Sequence, residues 1–427
     1  MTINIPKTDK KRIVVVGAGF AGLAFAQRMA AQNVQIVLID KHNYHQFQPL
    51  FYQVAMAGLE PSSISFPLRK LFQEKQNVFI RITELLAIHT EKNELETGLG
   101  PLFYDALVIA TGVDSNYFGN EEIAQKTLPM KSVSEALYLR NCILKDYEQA
   151  LVTTDYEERQ GLIDIVIVGG GPTGVEVAGA LAEMKKYILP KDYPELNNEE
   201  VDIYVVQGAD CLLKGMSENA SQGAKKFLEG LGVKVMLDTR VTGYDGTFVT
   251  MHDGSKIRSK KVIWAAGVKG VKIQGLQDKN YNRSSRLLVN EQCKLHGSHN
   301  IFAIGDTAAM QTEEMPYGHP QLAQVALQQG KYLSKNILQI LDTATEKKFK
   351  YKDLGSMATI GRNRAVVDLP RYKFKGFFAW IVWLFVHLFS ILGVRNKIVV
   401  FFNWIWNYFT YDQSLRLIIK AKEKKRH

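Results

Sequence analysis

A glycine-rich turn set between an apolar strand and a helix occurs twice in this chain, and that duplication limits the fold more than any other feature. Residues 12–16 read RIVVV, a buried-strand run, and lead into GAGFAG at residues 17–22. An alanine-rich stretch suited to a helix follows over residues 23–31, then a second strand, VQIVLI, over residues 34–39, with Asp40 at its end. Each part has a task in holding a dinucleotide. Gly17 permits the tight turn, Gly19 lets the backbone approach a pyrophosphate, and Gly22 allows close packing of a helix whose amides face the phosphate. Asp40 stands where a carboxylate accepts hydrogen bonds from a ribose diol.

The pattern returns at Gly169. IDIVIV, residues 163–168, precedes GGGPTG, with Gly169, Gly171 and Gly174 in the three glycine roles and a helix predicted over residues 175–187. The partner strand VDIYVV, residues 201–206, is followed by Gln207 in place of the acid. A carboxylate there repels a 2′-phosphate and binds a free 2′-hydroxyl, whereas an amide does neither as strongly. NADH and NADPH therefore both stay open, and no arginine adjoins Gln207 in the sequence. YDALVIATG (104–112) and KVIWAAG (261–267) are matching strands that close the two units, and NIFAIGD (300–306) ends in Gly305 and Asp306. Asp306 reads either as an acid returned to the first unit or as a turn aspartate capping residue 307 onward.

These features predict an α/β protein of two Rossmann-like dinucleotide-binding domains with a C-terminal membrane-anchoring helical region. The boundaries expected are 1–125 with 290–345 for a discontinuous first domain, 126–289 for the second and 346–427 for the C-terminal region. Cys142, Cys211 and Cys293 are far apart, and residues 42–59 hold no CxxxxC pair. A disulfide framework, a zinc or other metal site and a thiol relay are not expected, and a reducing compartment fits. The polar, basic first residues lack an apolar stretch behind them, so no cleavable secretion signal is expected.

The net charge of +10 is concentrated at one end: residues 346–427 carry 17 Lys and Arg against 5 Asp and Glu, leaving the rest at −2. Trp380, Trp383, Trp404 and Trp406 lie in that same region. A basic, tryptophan-rich end on a near-neutral body suggests an anionic membrane surface, and no base-reading motif points to nucleic acid. FFAWIVWLFVHLFSILGV, residues 377–394, is borderline in length for a membrane span, and the second stretch, residues 398–409, is too short. Flanked by Lys373, Lys375, Arg395, Lys397 and Lys420, the two suit a helix pair lying in the interface, with the tail KAKEKKRH disordered and drawn to anionic lipid.

HPQLAQVALQQG, residues 319–330, begins a helix with Gln324 and Gln328 one turn apart on one face. Two neutral amides there can hydrogen-bond a quinone carbonyl. AQVALQ, together with NYHQFQPLFYQVA, GGGPTGVEVAG, NIFAIGDTA and MATIGRNRAVVD, resembles the type II NADH:quinone oxidoreductases, the single-subunit alternative NADH dehydrogenases among the two-dinucleotide-binding flavoproteins. The likeness runs from about residue 12 to residue 416.

That resemblance implies FAD in the first domain, held by Gly17, Gly19, Phe20, Ala21, Gly22, Asp40, Lys41, Gln48, Thr111, Gly112, Gly305, Asp306, Ala323 and Gln324. It implies NADH, or NADPH, in the second, held by Gly169, Gly171, Pro172, Thr173, Gly174, Glu176, Gln207, Ala266 and Gly267. Glu176 is the residue matching a glutamate that contacts the nicotinamide; a helix N-terminal acid favoured by the dipole is its plainer role. Gln324 and Gln328 would orient the quinone, menaquinone or ubiquinone. Lys397 would stabilise reduced quinone or hold a lipid headgroup. The implied reaction is hydride transfer from NADH to N5 of FAD and two-electron reduction of a membrane quinone, without proton pumping. A homodimer on the cytoplasmic face of the plasma membrane, attached to membrane lipid monotopically through the C-terminal region, is the expected setting. The rival readings are a sulfide:quinone oxidoreductase, an NADH oxidase and a membrane-tethered redox sensor.

Overall fold

A computed structural model describes residues 3–342, 347–412 and 415–419, so the basic tail at 420–427, Lys420 included, lies outside the described residues. The helices that bear on function are, in chain order, α1 (Phe20–Met29), α2 (Phe51–Ala55), α3 (Val133–Val152), α4 (Pro172–Tyr187), α5 (Ala323–Asp342), α6 (Phe377–Ser390) and α7 (Val394–Thr410). Two compact units emerge, both discontinuous. The first comprises Met1–Gln46, Phe66–Asp114 and Val268–Asp353; the second comprises Phe47–Ser65, Ser115–Gly267 and Leu354–His427.

In the first unit five parallel strands lie in the order Ile301–Ala303, Ala106–Ile109, Arg12–Val16, Gln35–Asp40, Val78–Ile82. The central strand Arg12–Val16 pairs on both edges, Val14 opposite Val37 on one side and Leu107 on the other. Val, Ile and Leu fill these strands because both sheet faces are covered, so no polar face is needed; residues 13–15, 36–39 and 106–109 are fully buried. α5 packs on α1, where Gly330 lies so close that a Cβ would stand 2.5 Å from the Ala21 carbonyl oxygen.

The second unit repeats this topology with Leu128–Pro129, Lys261–Trp264, Ile165–Val168, Ile203–Val206 and Lys234–Met236, again all parallel. The helix after the second glycine turn begins at Pro172, three residues before the sequence-based start, because proline at the first helical position brings a fixed φ and lacks only an N–H that would be unpaired anyway. The C-terminal part of this unit is an antiparallel sheet of Ser356–Thr359, Ala365–Asp368 and Lys373–Gly376, followed by α6 and α7. The sheet approaches α4 at glycine on both sides: a Cβ on Gly179 would stand 2.6 Å from the Gly361 backbone nitrogen.

The apolar run at 377–394 divides. α6 ends at Ser390, and Gly393, at φ +75°, caps the start of α7. At 14 residues α6 is roughly 21 Å long, short of the ~30 Å hydrocarbon core, and no helix among the described residues is long and apolar enough to cross a membrane.

Candidate active site

The predicted FAD residues of the first unit collect at the carboxyl ends of its parallel strands. Gly17 follows Arg12–Val16, Asp40 ends Gln35–Asp40, Thr111 and Gly112 follow Ala106–Ile109, and Gly305 and Asp306 follow Ile301–Ala303. In an open α/β sheet that edge is where ligands bind. Gly17 turns at φ +100°, and a Cβ on Gly22 would stand 1.9 Å from the Gly17 carbonyl oxygen, an approach open only to glycine. Gly19 caps α1 with no side-chain bond, and a Cβ built there meets nothing within 4 Å. The N-terminus of α1 thus opens on a turn with room beside Gly19, the arrangement an anion needs.

Asp40 closes the rim. One carboxylate oxygen accepts the Ala18 N–H at 2.7 Å and the other the His42 N–H at 2.7 Å. Beneath it, buried His45 has Nδ1 2.8 Å from the Ala18 carbonyl and meets the Phe20 ring edge-on at 5.3 Å; burial lowers its pKa and keeps it neutral. Ala21 is buried under the turn, Lys41 is exposed at the strand end, and Gln48 is exposed in the Phe47–Ser65 segment of the second unit. Thr111 Oγ1 lies 3.4 Å from Thr307 Oγ1. The open turn, the helix N-terminus and the rim carboxylate suit the pyrophosphate and ribose of FAD.

Ala323 and Gln324 open α5. Gln328 is occupied: its Nε2 donates to the Lys352 carbonyl at 2.8 Å and its Oε1 accepts the Lys352 N–H at 3.0 Å. Sequence reasoning passed over Gln329, which is 1% exposed and whose Oε1 accepts the Gly305 N–H at 2.7 Å. The signal was there: Gln329 is four residues from Val325 and from Leu333, both buried, so its amide belongs to the inner stripe.

The second turn repeats the first. Gly169 has φ +114°, a Cβ on Gly174 would stand 1.9 Å from the Gly169 carbonyl oxygen, and Gly171 caps α4 with its Cβ direction open. Pro172 and Thr173 are exposed at the helix start. The Gln207 amide sits on the turn, accepting the Gly170 N–H at 2.9 Å and donating to the Cys211 carbonyl at 3.2 Å. Ala266 and Gly267 follow Lys261–Trp264, and the Gly267 carbonyl accepts the Asn116 N–H at 3.0 Å.

Glu176 lies one turn into α4 on the side of the C-terminal region. Burial pushes its carboxyl up to about 8, opposed by the Thr359 backbone N–H and the Trp383 indole N–H. The Trp383 N–H is buried without a standard hydrogen bond. A second carboxyl, Glu183, is also raised by burial, with the Arg362 backbone N–H and charge opposing. The buried Tyr52 hydroxyl feels both acids and is driven well above its usual range, first by desolvation and then by the Glu176 charge.

Tyr52, Gln53, Glu183, Arg362, Trp383 and Trp404 help line an apolar cavity of about 640 Å³ in the second unit. Gln53 joins its walls: Gln53 Nε2 donates to the Tyr52 hydroxyl at 2.7 Å, and Trp404 Nε1 donates to Gln53 Oε1 at 2.7 Å. Sequence reasoning singled out none of the cavity's polar residues. Lys397 stands apart, its Nζ donating to the Phe389 carbonyl at 2.9 Å and so capping α6.

The pyridine nucleotide-disulphide oxidoreductase family matches residues 11–330, and the NDH2 C-terminal domain matches residues 354–411. The chain is 34% identical over 412 residues to the type II NADH:quinone oxidoreductase NdhA of Mycobacterium tuberculosis, covering 92% of this chain and 86% of that protein. This chain belongs to the type II NADH:quinone oxidoreductase family. A solved structure of NDH2 from Plasmodium falciparum in complex with NADH has a TM-score of 0.87 at 22% identity, covering 96% of this chain and all of that one (100%). The sulfide:quinone oxidoreductase of Aquifex aeolicus shares the fold at TM-score 0.72 and 20% identity, covering 94% and 95%. In this chain burial raises the pKa of Cys142, Cys211 and Cys293, so none is poised as a thiolate.

Proposed function

We infer that this chain is a respiratory NADH:quinone oxidoreductase that carries FAD. The observation that carries this is the duplicated glycine turn, each copy open at the carboxyl edge of its own parallel sheet. Bound FAD supplies the two-electron relay between nicotinamide and quinone. The chain's residues bind and orient. Gly17, Gly19 and the α1 amides hold the flavin's pyrophosphate, while Asp40 and Asp306 take its hydroxyl-bearing ends. Gly169, Gly171 and the α4 amides do the same for NADH, with Gln207 at the adenosine ribose and Glu176 near the nicotinamide.

Gln324 and Gln328 orient the quinone carbonyl, Gln328 only by releasing its two bonds to Lys352. The aromatic-walled cavity beside α2, α6 and α7 suits an apolar ligand such as a prenylated quinone's tail. In this reading α6 and α7 lie in the lipid interface through Phe378, Phe385, Phe389, Phe402 and Trp406, all exposed, with Lys373, Lys375, Arg395 and Lys397 meeting anionic headgroups. Attachment on the cytoplasmic face, where NADH is found, and a homodimer complete the proposal. Stopped-flow mixing tests it. NADH should bleach the bound flavin, and menaquinone or ubiquinone analogues should restore its absorbance; recovery with oxygen or dependence on sulfide instead would move the chain to another acceptor class.

A further inference from the structure

We propose that Arg240 is the docking point for the 2′-phosphate of NADPH, so that the second glycine turn accepts both nicotinamide dinucleotides. This rests on the reading of that turn as the nicotinamide site. Ile203–Val206 runs into Gln207, and the segment after the neighbouring strand Lys234–Met236 folds back beside it. The Thr239 N–H donates to the Gln207 carbonyl at 3.0 Å and the Asp238 N–H to the Ala209 carbonyl at 3.0 Å. Arg240, 33 positions from Gln207 in sequence, is thereby laid against Gly208: a Cβ there would stand 3.1 Å from Arg240 Cγ and 3.9 Å from Nε. Gly208 offers a bed without a side chain for the arginine stem.

The backbone of Arg240 is held by His252, whose N–H donates to its carbonyl at 2.8 Å, while its side chain is exposed. No salt bridge among the described residues includes Arg240. The guanidinium therefore stands at the carboxyl end of the second strand, where the adenosine ribose lies in a dinucleotide fold. Gln207, with its amide engaged by Gly170 and Cys211, brings no carboxylate to repel a phosphate. Asp210 and Asp238 lie on the same loops and temper the local charge, but both are exposed and screened by water. A guanidinium that forks two N–H donors onto phosphate oxygens outweighs them.

The test uses the full-length, FAD-loaded enzyme as wild type, Arg240→Ala and Arg240→Lys. Binding of 2′,5′-ADP and 5′-AMP is measured by calorimetry, and flavin bleaching by NADH and NADPH in stopped flow at low and high salt. Wild type should prefer 2′,5′-ADP to 5′-AMP and bleach with NADPH, with both effects weakening as salt rises. In Arg240→Ala the preference should vanish and the NADPH:NADH ratio of kcat/KM fall about tenfold or more, with part of it restored in Arg240→Lys. The proposal is overturned if wild type shows no preference for 2′,5′-ADP, or if Arg240→Ala weakens NADH and NADPH in equal proportion. Bleaching by NADH in either case leaves the nicotinamide reading standing; bleaching by neither nucleotide removes that reading itself.

Discussion

The side-chain oxygen of Gln207 accepts the Gly170 backbone N–H at 2.9 Å, as the Asp40 carboxylate accepts that of Ala18 at 2.7 Å in the other turn. The two residues do one structural job, pinning the second residue of a glycine turn to the end of the next strand. They differ in charge. Gln207→Glu keeps an acceptor for Gly170 and adds a carboxylate at the ribose, so the NADPH:NADH ratio of kcat/KM should drop about tenfold. Gln207→Ala leaves the Gly170 N–H unpaired and should cost about 1 kcal/mol in urea unfolding.

Replacing Gln324 and Gln328 together by alanine should lower quinone turnover at least tenfold while NADH still bleaches the flavin. Single-turnover traces with NADH, then with a soluble quinone, check this. Unchanged quinone kinetics would free both glutamines of the role. Gln328→Ala alone also releases the Lys352 backbone, so its melting temperature is the control for a structural effect.

Glu176, with its carboxyl raised from 4.5 to about 8, stays protonated in the fold where the unfolded chain is ionised. This site therefore costs stability progressively as pH climbs from about 4.5 to about 8, and nothing below that window. Glu176→Gln, fixed neutral, should exceed the parent by on the order of 2 kcal/mol at about pH 8.5 and by little at about pH 5. Unfolding curves at the two pH values decide it; a gap that does not grow with pH would refute the raised carboxyl.

Phe385 and Phe402 are 61% and 62% exposed. Serine at either should weaken binding to anionic vesicles by about tenfold or more, the loss of one aromatic ring's burial, with flavin content unchanged. Flotation with phosphatidylglycerol vesicles measures it, and equal binding of both variants and parent would refute the interface reading.

Local geometry explains what was legible from sequence. Gly17 and Gly169 must turn through left-handed φ, and Gly22 and Gly174 must touch backbone, so their spacing announces the fold without any knowledge of distant contacts. The apolar closing strands were legible for the same reason, because double burial writes itself as unbroken Val and Ile runs. Gln329, Glu183, Arg362 and Gln53 were not. Each acts through a partner far along the chain: Gln329 through Gly305, Glu183 through Arg362, Gln53 through Trp404. The helix break at Gly393 was hidden by the hydropathy of its neighbours, which stays high across a turn that only the backbone angles reveal.

The closeness of Gly179 to Gly361 bears on how this protein can be handled. α4 starts at the second glycine turn and is roofed midway by the sheet that leads into α6, with no side chain between them. Cutting the chain ahead of residue 354 to obtain a detergent-free enzyme would bare Ala180 and Glu183 and leave a sticky furrow along the shaft that begins at the second glycine turn. Solubility is better sought by recolouring the outer rings of the last two helices one at a time, leaving the roof in place.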